Sequence, residues 1–262
     1  MTHIHPTAII HETADIHDSV VIGPYCVIGE HVSIGEGCEI KSHVVIDGRT
    51  TIGSGNVIYP FASIGSAPQD LKYDGEPSTL VIGNNNTIRE YVTMNPGTKD
   101  FGMKTRVGDH NLFMMSSHVA HDCVVGNRCI LANNAAIAGH VVLGNHVIIG
   151  GLSAVHQFIR IGDHAIIGGA TGVDADVIPY GLVRGERGAL AGLNLVGLER
   201  AGFAKDDIRT LQKVFQNMFK GSGTFDDRLN TVRDTHGDHD IVQKIIAFID
   251  GKTRFPICQP KS

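Results

Sequence analysis

The chain contains 262 residues, and its 27 acidic and 22 basic side chains give a formal net charge of −5. This acidic balance argues against a nucleic-acid-binding protein, and no apolar run reaches the roughly 18 residues that span a bilayer. The first ten residues lack the basic start and apolar core of a signal peptide, so we expect a cytoplasmic protein without a membrane span.

Isoleucine returns at every sixth residue through the first quarter of the chain. The positions are Ile4, Ile10, Ile16, Ile22, Ile28, Ile34, Ile40, Ile46, Ile52, Ile58 and Ile64. A second run restarts one residue out of phase, at Val107, Phe113, Val119, Val125, Leu131, Ile137, Leu143, Ile149, Val155, Ile161, Ile167 and Val173. This period matches neither an α-helix nor an alternating strand. It is typical of the hexapeptide repeats of a parallel β-helix.

Each hexad is predicted to form one short strand and one corner of a triangular coil. The residue four places after the aliphatic one is usually small, as at Val20, Cys26 and Cys38, and should also point inward. Three hexads close a coil, so residues that are three hexads apart should stack at the strand spacing of about 4.8 Å. The five cysteines include no CxxC pair, and we expect free thiols.

Two segments interrupt the hexads. Residues 66–80 lack the repeat, yet Ile64 and Ile82 are three hexads apart, so we expect that coil to bulge outward and keep the two stacked. Residues 95–106 shift the register by one position, which requires a loop. Long excursions from a rigid scaffold often carry function.

The repeat ends near Pro179, and a helical pattern begins near Asn194. Apolar residues at three- and four-residue spacing predict helices around 208–219 and 241–249, and Thr224 with Asp227 resembles a helix-capping pair. We therefore divide the chain into a β-helix domain of residues 1–190 and a helical domain of residues 191–262.

Four histidines after the second restart fall near one edge of the predicted prism. They are His118, His121, His140 and His156, with Gln157 beside them, and Asp122 follows His121 directly. Three interpretations are open: a polar edge without function, a metal site, or a general base that takes a proton from a hydroxyl. The metal interpretation is weakened because the strip contains no compact histidine pair at zinc-ligand spacing.

A single face of a rod makes a poor pocket, whereas three packed prisms form grooves between them. We therefore expect a homotrimer with sites between subunits. The excursion at residues 66–80 should then reach toward the histidines of a neighbouring subunit.

Several blocks of sequence resemble one known family. They are Gln69-Asp70-Leu71-Lys72-Tyr73, the segment from His118 to Asn127, Ile130 to Asn134, Ala138 to Val141, Val155 to Phe158, and the stretch from Gly192 to Phe203. Hexads alone are shared by many transferases, but the first two blocks at this spacing are specific. Over nearly its whole length the chain resembles the acyl-[acyl-carrier-protein]–UDP-N-acetylglucosamine O-acyltransferases, which catalyse the first step of lipid A biosynthesis.

The resemblance implies a homotrimeric left-handed parallel β-helix with a C-terminal α-helical domain. It implies transfer of a 3-hydroxyacyl chain from acyl carrier protein to the 3-hydroxyl of UDP-N-acetylglucosamine, without a metal, a cofactor or a covalent intermediate. His121 would be the general base, Asp122 its partner, and the Gly139 N–H the oxyanion donor. The substrate-binding residues that the resemblance implies are Asp70, Lys72, His118, His140, His156, Gln157, Gly169, Asn194 and Arg200.

Within that set, Gly169 corresponds to acyl-length selection, whereas Asn194 and Arg200 correspond to the uridine diphosphate end. The chain also departs from the family pattern. Asn95-Pro96-Gly97-Thr98 stands where many members have His-Arg-Gly-Thr, Val196 replaces a frequent acid, and Ala201 a frequent basic residue.

Other interpretations therefore stay open. The acceptor could carry a 3-amino group in place of the 3-hydroxyl. The chain could also be an acyltransferase for another nucleotide sugar, a carbonic-anhydrase-like metal enzyme, or a hexapeptide scaffold without activity.

Overall fold

A computed structural model describes residues 3–99, 102–251 and 253–261, which form 28 strands followed by four helices. Before the first interruption the strands are β1 (His3–Ile4), β2 (Ile9–Ile10), β3 (Asp15–Ile16), β4 (Val21–Ile22), β5 (Val27–Ile28), β6 (Ser33–Ile34), β7 (Glu39–Ile40), β8 (Val45–Ile46), β9 (Arg49–Ile52), β10 (Val57–Ile58) and β11 (Ser63–Ile64). Between the interruptions they are β12 (Thr79–Ile82), β13 (Thr87–Ile88) and β14 (Thr93–Met94).

After the second interruption the repeat continues to the helical region. The strands are β15 (Lys104–Val107), β16 (Leu112–Phe113), β17 (His118–Val119), β18 (Val124–Val125), β19 (Ile130–Leu131), β20 (Ala136–Ile137), β21 (Val142–Leu143), β22 (Ile148–Ile149), β23 (Ala154–Val155), β24 (Arg160–Ile161), β25 (Ile166–Ile167), β26 (Gly172–Val173), β27 (Gly181–Arg184) and β28 (Ala189–Leu193).

From β1 to β26 every third strand joins the same sheet, which gives the three sides of a left-handed parallel β-helix. The first sheet begins β1-β4-β7, the second β2-β5-β8 and the third β3-β6-β9. The register repeats after three hexads, as in the pairing of Ile4 with Ile22. The first sheet ends in an antiparallel pair, β27 with β28. The predicted fold class is confirmed.

The hexad pattern fills the interior of the prism. Ile46, Ile58 and Ile64 have no exposed surface, and Phe113 and Ile137 in the second run are equally buried. The small residues four places later are buried too, and all five cysteines are free thiols, as predicted. Close packing of these short side chains gives a narrow rod, so functional side chains have room only at its outward positions.

The corners turn through residues in the left-handed backbone conformation. Asp122, His140 and Phe158 have φ values of 57°, 64° and 66°, and each lies one regular coil after the one before it. A residue with a side chain at such a φ is uncommon. The strands on both sides fix these turns, so their side chains stack along the corner.

The prediction for the first interruption was wrong in its stacking. Ile82 pairs with Ile52 in the third sheet, whereas Ile64 pairs with Ile46 in the second sheet. The coil from Ile52 to Ile82 therefore has the length of five hexads, where a regular coil has three. Because the added length is a whole number of hexads, the sequence phase survives the excursion.

The second interruption is a loop, as predicted, and it leaves from the same corner. Ile82 pairs with Val107, so this coil exceeds a regular one by one hexad and one further position, which explains the shift in register. Asn95 at the start of the loop donates from Nδ2 to the carbonyls of Ser66 and Ala67, at 3.0 and 3.3 Å. The two excursions are thus tied to each other.

Four helices follow the last strand: α1 (Leu195–Arg200), α2 (Lys205–Lys220), α3 (Phe225–His236) and α4 (Asp240–Asp250). Ile208, Leu211 and Ile245 lie buried in this packing, as their spacing predicts. Thr224 and Asp227 form the predicted capping box at the start of α3. The predicted domain boundary between residues 190 and 191 falls inside β28 and stays a prediction.

The chain then returns to the β-helix, which the sequence analysis did not foresee. Ile257 forms a parallel bridge with Asp176 on the last coil, and Leu190 donates its N–H to the carbonyl of Gln259. Across residues 3–99, 102–251 and 253–261, no helix is both long enough and apolar enough to cross a bilayer.

Candidate active site

The polar side chains of the site lie along the corner between the second and third sheets. β17, β20 and β23 of the second sheet end there on successive coils. The turn that follows each strand supplies two consecutive residues, and the three turns stack from coil to coil. The pairs are His121 with Asp122, Gly139 with His140, and Gln157 with Phe158. On the two preceding coils, after β11 and β14, the two excursions leave the β-helix at this same corner.

His121 is held by the carboxylate that follows it. His121 Nδ1 lies 2.9 Å from Asp122 Oδ2. If Nδ1 carries the proton and donates it to the carboxylate, Nε2 keeps a free lone pair that can accept a proton. The side chain of His121 is 16% exposed and that of Asp122 is 1% exposed, so a buried carboxylate orients a ring that keeps part of its surface open.

Asp122 is itself fixed by Thr98 from the second loop. The Thr98 N–H donates to both carboxylate oxygens, at 3.1 and 3.0 Å, and the hydroxyl donates to Oδ2 at 2.7 Å. Burial alone raises the pKa of Asp122, but hydrogen bonds from His121 and Thr98 outweigh it and hold the pKa below its usual value. Asp122 therefore stays ionised beside His121.

His140 lies against both neighbours on the corner. Its ring meets that of His121 edge-on at 4.9 Å and stacks on that of Phe158 at 4.2 Å with an interplanar angle of 4°. Burial lowers the pKa of His140, which favours the neutral ring. His140 is thus a neutral polar side chain in a fixed orientation.

Gly139 has no side chain because His121 occupies the space. A Cβ built on Gly139 would lie 2.5 Å from Cε1 and 2.6 Å from Nε2 of His121. Within the described residues, the Gly139 N–H donates no backbone hydrogen bond. Backbone N–H groups of this kind are the donors from which oxyanion holes are built.

A cavity of about 670 Å³ opens in front of these groups, and we call it the polar cavity. It is lined by Gln69, Asp70, Leu71, Lys72, Glu76, Thr98, Lys99, His121, His140, Gln157, Phe158 and Arg254. The first excursion supplies five of these residues and lies against the histidines of its own chain. The predicted contact with the histidines of a neighbouring subunit stays a prediction.

A second cavity of about 430 Å³ adjoins the first along the second sheet, and we call it the alanine cavity. It is lined by Gln69, Asn95, His118, Ala120, His121, Ala136, Ile137, Ala138, Gly139, Ala154, Val155, His156 and Gln157. Small apolar side chains form its floor. Gln69, His121 and Gln157 line both cavities, so His121 lies where a polar and an apolar space meet.

The two outer histidines of the strip differ in their surroundings. His118 Nδ1 bonds to the Thr93 hydroxyl at 2.7 Å, and burial lowers the pKa of His118. His156 is exposed, and its ring meets Phe255 edge-on at 5.4 Å. Both line the alanine cavity, where the sequence predicted substrate contacts.

Three predicted site residues lie elsewhere in the single chain. In the part of the chain that the structure describes, Gly169, Asn194 and Arg200 line neither cavity. Asn194 caps α1 by accepting from the Gly197 N–H at 3.1 Å and donates to the His164 carbonyl at 2.9 Å. Arg200 is exposed at the end of α1. Their substrate roles stay predictions.

Sequence reasoning missed three residues of the polar cavity, Thr98, Lys99 and Arg254. Thr98 belonged to the Asn95-Pro96-Gly97-Thr98 departure, but nothing in its spacing pointed to Asp122. Arg254 follows the last helix, and its guanidinium carbon lies 3.9 Å from the centre of the Phe158 ring. Only the return of the chain after α4 brings it to the site.

One group of side chains here could hold a metal ion. Among the residues described, His121, Asp122 and His140 offer ligand atoms that all lie within 4.8 Å of one another. Two imidazoles and a carboxylate are common zinc ligands. The same three residues also suit proton transfer, so ligand type alone leaves both chemistries open.

Three family models match separate parts of the chain. A family model described as Udp N-acetylglucosamine O-acyltransferase, Domain 2, matches residues 176–258. A model of the bacterial transferase hexapeptide (six repeats) matches residues 104–139, and one of the GMPPB C-terminal domain matches residues 4–68.

Curated relatives match most of the chain. The acyl-[acyl-carrier-protein]–UDP-N-acetylglucosamine O-acyltransferase of Rhizobium etli is 48% identical over 246 residues, covering 94% of this chain and 90% of the relative. The enzyme of the same name from Paracoccus denitrificans is 52% identical over 195 residues, 74% of each chain.

Solved structures agree with these relatives. The crystal structure of UDP-N-acetylglucosamine O-acyltransferase from Moraxella catarrhalis matches with a TM-score of 0.94 at 43% identity, covering 98% of this chain and 100% of that one. The Acinetobacter baumannii structure matches with a TM-score of 0.93 at 40% identity, covering 97% and 99%. The chain belongs to the acyl-[acyl-carrier-protein]–UDP-N-acetylglucosamine O-acyltransferase family.

Proposed function

We propose that this acyltransferase moves a 3-hydroxyacyl group from the thioester of acyl carrier protein to the glucosamine 3-hydroxyl of UDP-N-acetylglucosamine, the first step of lipid A biosynthesis. The observation that carries the proposal is the position of His121 between the polar cavity and the alanine cavity. A nucleotide sugar fits the polar side, an acyl chain fits the small apolar side, and the reacting atoms would meet at His121.

His121 acts as the general base in this proposal. Nε2 accepts the proton of the sugar hydroxyl while the hydroxyl oxygen bonds to the thioester carbonyl carbon. The carbon–sulfur bond then breaks, and His121 returns the proton to the leaving thiolate. Asp122 keeps the ring oriented and stabilises its charged form, and such a base contributes about 10²–10⁴ in rate.

Gly139 supplies the second catalytic group. Its N–H donates to the oxygen that becomes negative when the carbonyl carbon turns tetrahedral. One such donor is worth about 10²–10³ in rate. Because the thioester is already activated, one base and one oxyanion donor are sufficient, and no covalent intermediate is needed.

The other predicted residues bind substrate. Asp70, Lys72, His140 and Gln157 line the polar cavity and would contact the sugar and its phosphates. His118 and His156 border the alanine cavity. The resemblance implies that His118 contacts the sugar and its phosphates and that His156 lines the site. Gly169 lies exposed at the opposite end of the second sheet's strands, where a longer chain would extend.

A direct transfer assay tests the function. The purified protein receives UDP-N-acetylglucosamine or its 3-amino analogue together with 3-hydroxyacyl carrier proteins of several chain lengths, and products are detected by mass. We expect one acylated nucleotide sugar that forms from the 3-hydroxyl acceptor. Transfer to neither acceptor with any chain length would contradict the proposal.

The metal alternative is separated by its own measurement. His121, Asp122 and His140 are close enough to share an ion, so a zinc enzyme is the rival that the geometry itself raises. We expect transfer activity to persist after dialysis against a chelator. Stoichiometric zinc whose removal abolishes transfer would favour the rival.

We further propose that the protein works as a homotrimer in the cytoplasm and does not bind nucleic acid. The corner between the first and second sheets carries Tyr25, Phe61 and Tyr91, which are 59%, 48% and 53% exposed. Their rings continue a stack through His43 at centroid distances of 5.0 to 5.1 Å. An exposed apolar ridge of this length marks a contact surface.

In such a trimer, Asn194 and Arg200 would serve the site of a neighbouring subunit. Sedimentation equilibrium checks the assembly. A mass near that of one 28.1 kDa subunit would contradict the trimer without touching the proposed chemistry.

A further inference from the structure

The C-terminal tail, residues 253–261, is fixed on the β-helix next to the site. Asp176 is fully buried, accepts a hydrogen bond from the Thr253 hydroxyl at 2.5 Å, and donates its N–H to the Pro256 carbonyl at 2.9 Å. The Cys258 N–H donates in turn to the Asp176 carbonyl at 2.8 Å. The tail is therefore hydrogen-bonded to the last coil on both sides of Arg254.

Arg254 lies over an aromatic ring that belongs to the site. Its guanidinium carbon is 3.9 Å from the centre of Phe158, and Phe158 stacks on His140. A guanidinium over an aromatic face keeps its N–H groups directed outward in its own plane. Arg254 is exposed and lines the polar cavity together with His121.

The positive charges of the polar cavity come from three separate segments. Lys72 comes from the first excursion, Lys99 from the second loop and Arg254 from the tail. Two carboxylates, Asp70 and Glu76, also line the cavity. Glu76 accepts the Lys99 N–H at 3.0 Å and so helps to hold the second loop. The planar guanidinium of Arg254 lies among these groups, on the side of the cavity that His140 and Phe158 form.

We propose that Arg254 binds a phosphate group of the substrate that enters the polar cavity. This inference rests on the proposed function, because both substrates of that reaction carry phosphate. The guanidinium fork matches phosphate oxygens in a two-point contact, which a lysine cannot make. The phosphate belongs either to the diphosphate of the nucleotide sugar or to the phosphodiester of the carrier's prosthetic arm.

Steady-state kinetics of Arg254→Ala and Arg254→Lys tests the inference and separates the two sources. We expect Arg254→Ala to raise KM about 10- to 100-fold for the substrate whose phosphate it binds, with kcat changed by less than about threefold. A rise for UDP-N-acetylglucosamine identifies the diphosphate, and a rise for the acyl carrier protein identifies the prosthetic arm. Arg254→Lys should fall between Ala and the native residue.

Arg209→Ala is the matched control, because Arg209 is an exposed arginine on α2 that pairs with Asp206. It should leave both KM values unchanged. Unchanged KM values for both substrates in Arg254→Ala would overturn the inference, as would a loss confined to kcat, which would mean that Arg254 only supports the stack on His140. Either result leaves transfer by the native chain intact, whereas failure of the native chain to transfer would overturn the proposed function itself.

Discussion

Replacing Thr98 with valine tests whether the second loop controls the catalytic pair. The change removes one hydroxyl donor from Asp122 and keeps nearly the same side-chain volume. The Thr98 N–H still reaches both carboxylate oxygens, at 3.1 and 3.0 Å, and His121 still reaches Oδ2 at 2.9 Å. The variant therefore weakens the hold on Asp122 without leaving the carboxylate unpaired.

The size of the effect follows from the bond that is lost. The hydroxyl lies 2.7 Å from Oδ2 in a buried site, and a hydrogen bond to a charged group contributes about 1.5–3 kcal/mol. The lower value applies because other donors remain, and the loss of this bond raises the pKa of Asp122 toward its usual value. A similar loss of orientation in the transition state lowers kcat about tenfold.

Hydrogen bonds in the native state hold the pKa of Asp122 below its usual value, so the ionised form is available until the pH falls through that lowered pKa. Without the hydroxyl, protonation begins at a higher pH, and the acid limb of kcat/KM moves upward. Asp122 also contributes to stability above its unfolded pKa, and this contribution is lost at higher pH in the variant.

The assay compares Thr98→Val with Thr98→Ser across the acid range. The serine variant keeps the hydroxyl and should behave like the native protein, whereas the valine variant should melt a few degrees lower at neutral pH because Asp122 loses one hydrogen bond. If Thr98→Val keeps kcat within about twofold and the same acid limb, the claim that Thr98 orients Asp122 is refuted.

Three further predictions concern His121, Gly139 and a buried asparagine ladder in which Asn86 Oδ1 accepts the Asn111 N–H at 2.8 Å. His121→Ala should lose about 10²–10⁴ in kcat while the fold survives, with exposed His17→Ala as the unaffected control; activity above about a tenth of native would refute the base. Gly139→Ala places a Cβ 2.5 Å from the His121 ring and should cost about 100-fold in kcat, whereas Gly151→Ala meets only a carbonyl oxygen at 3.3 Å and should not. Asn86→Ala removes the acceptor of the buried Asn111 N–H and should lower the free energy of unfolding by about 1–3 kcal/mol in urea titrations. An unchanged unfolding midpoint would contradict that account.

The repetitive part of the fold could be predicted because each hexad obeys the same local rule. Ile46 and Ile137 occupy the inward position of their hexads, and their burial follows from the period of the repeat alone. The stacking of Ile82 could not be predicted in this way. An insertion of two whole hexads preserves the phase of the repeat, so the sequence could not distinguish one extended coil from one regular coil.

The site was predictable in part for the same reason. His121 and His140 lie on successive coils because their spacing is close to three hexads, and the structure brings their rings within 4.9 Å. Thr98 and Arg254 have no such spacing. Thr98 reaches Asp122 through a loop outside the repeat, and Arg254 reaches Phe158 only after four helices have returned the chain.

The departures from the repeat have a common location, and this location explains how a uniform rod gains a reactive centre. Five successive coils turn the corner between the second and third sheets, at residues 65–78, 95–103, 120–123, 138–141 and 156–159. The first two insert residues, and the next three present His121, His140 and Phe158 on regular turns. The inserted segments form the wall opposite the turns, so the cavity arises from added length at two turns while the catalytic spacing stays that of the scaffold. A change in the length of either insertion should therefore alter substrate binding more than it alters the geometry of His121 and Gly139.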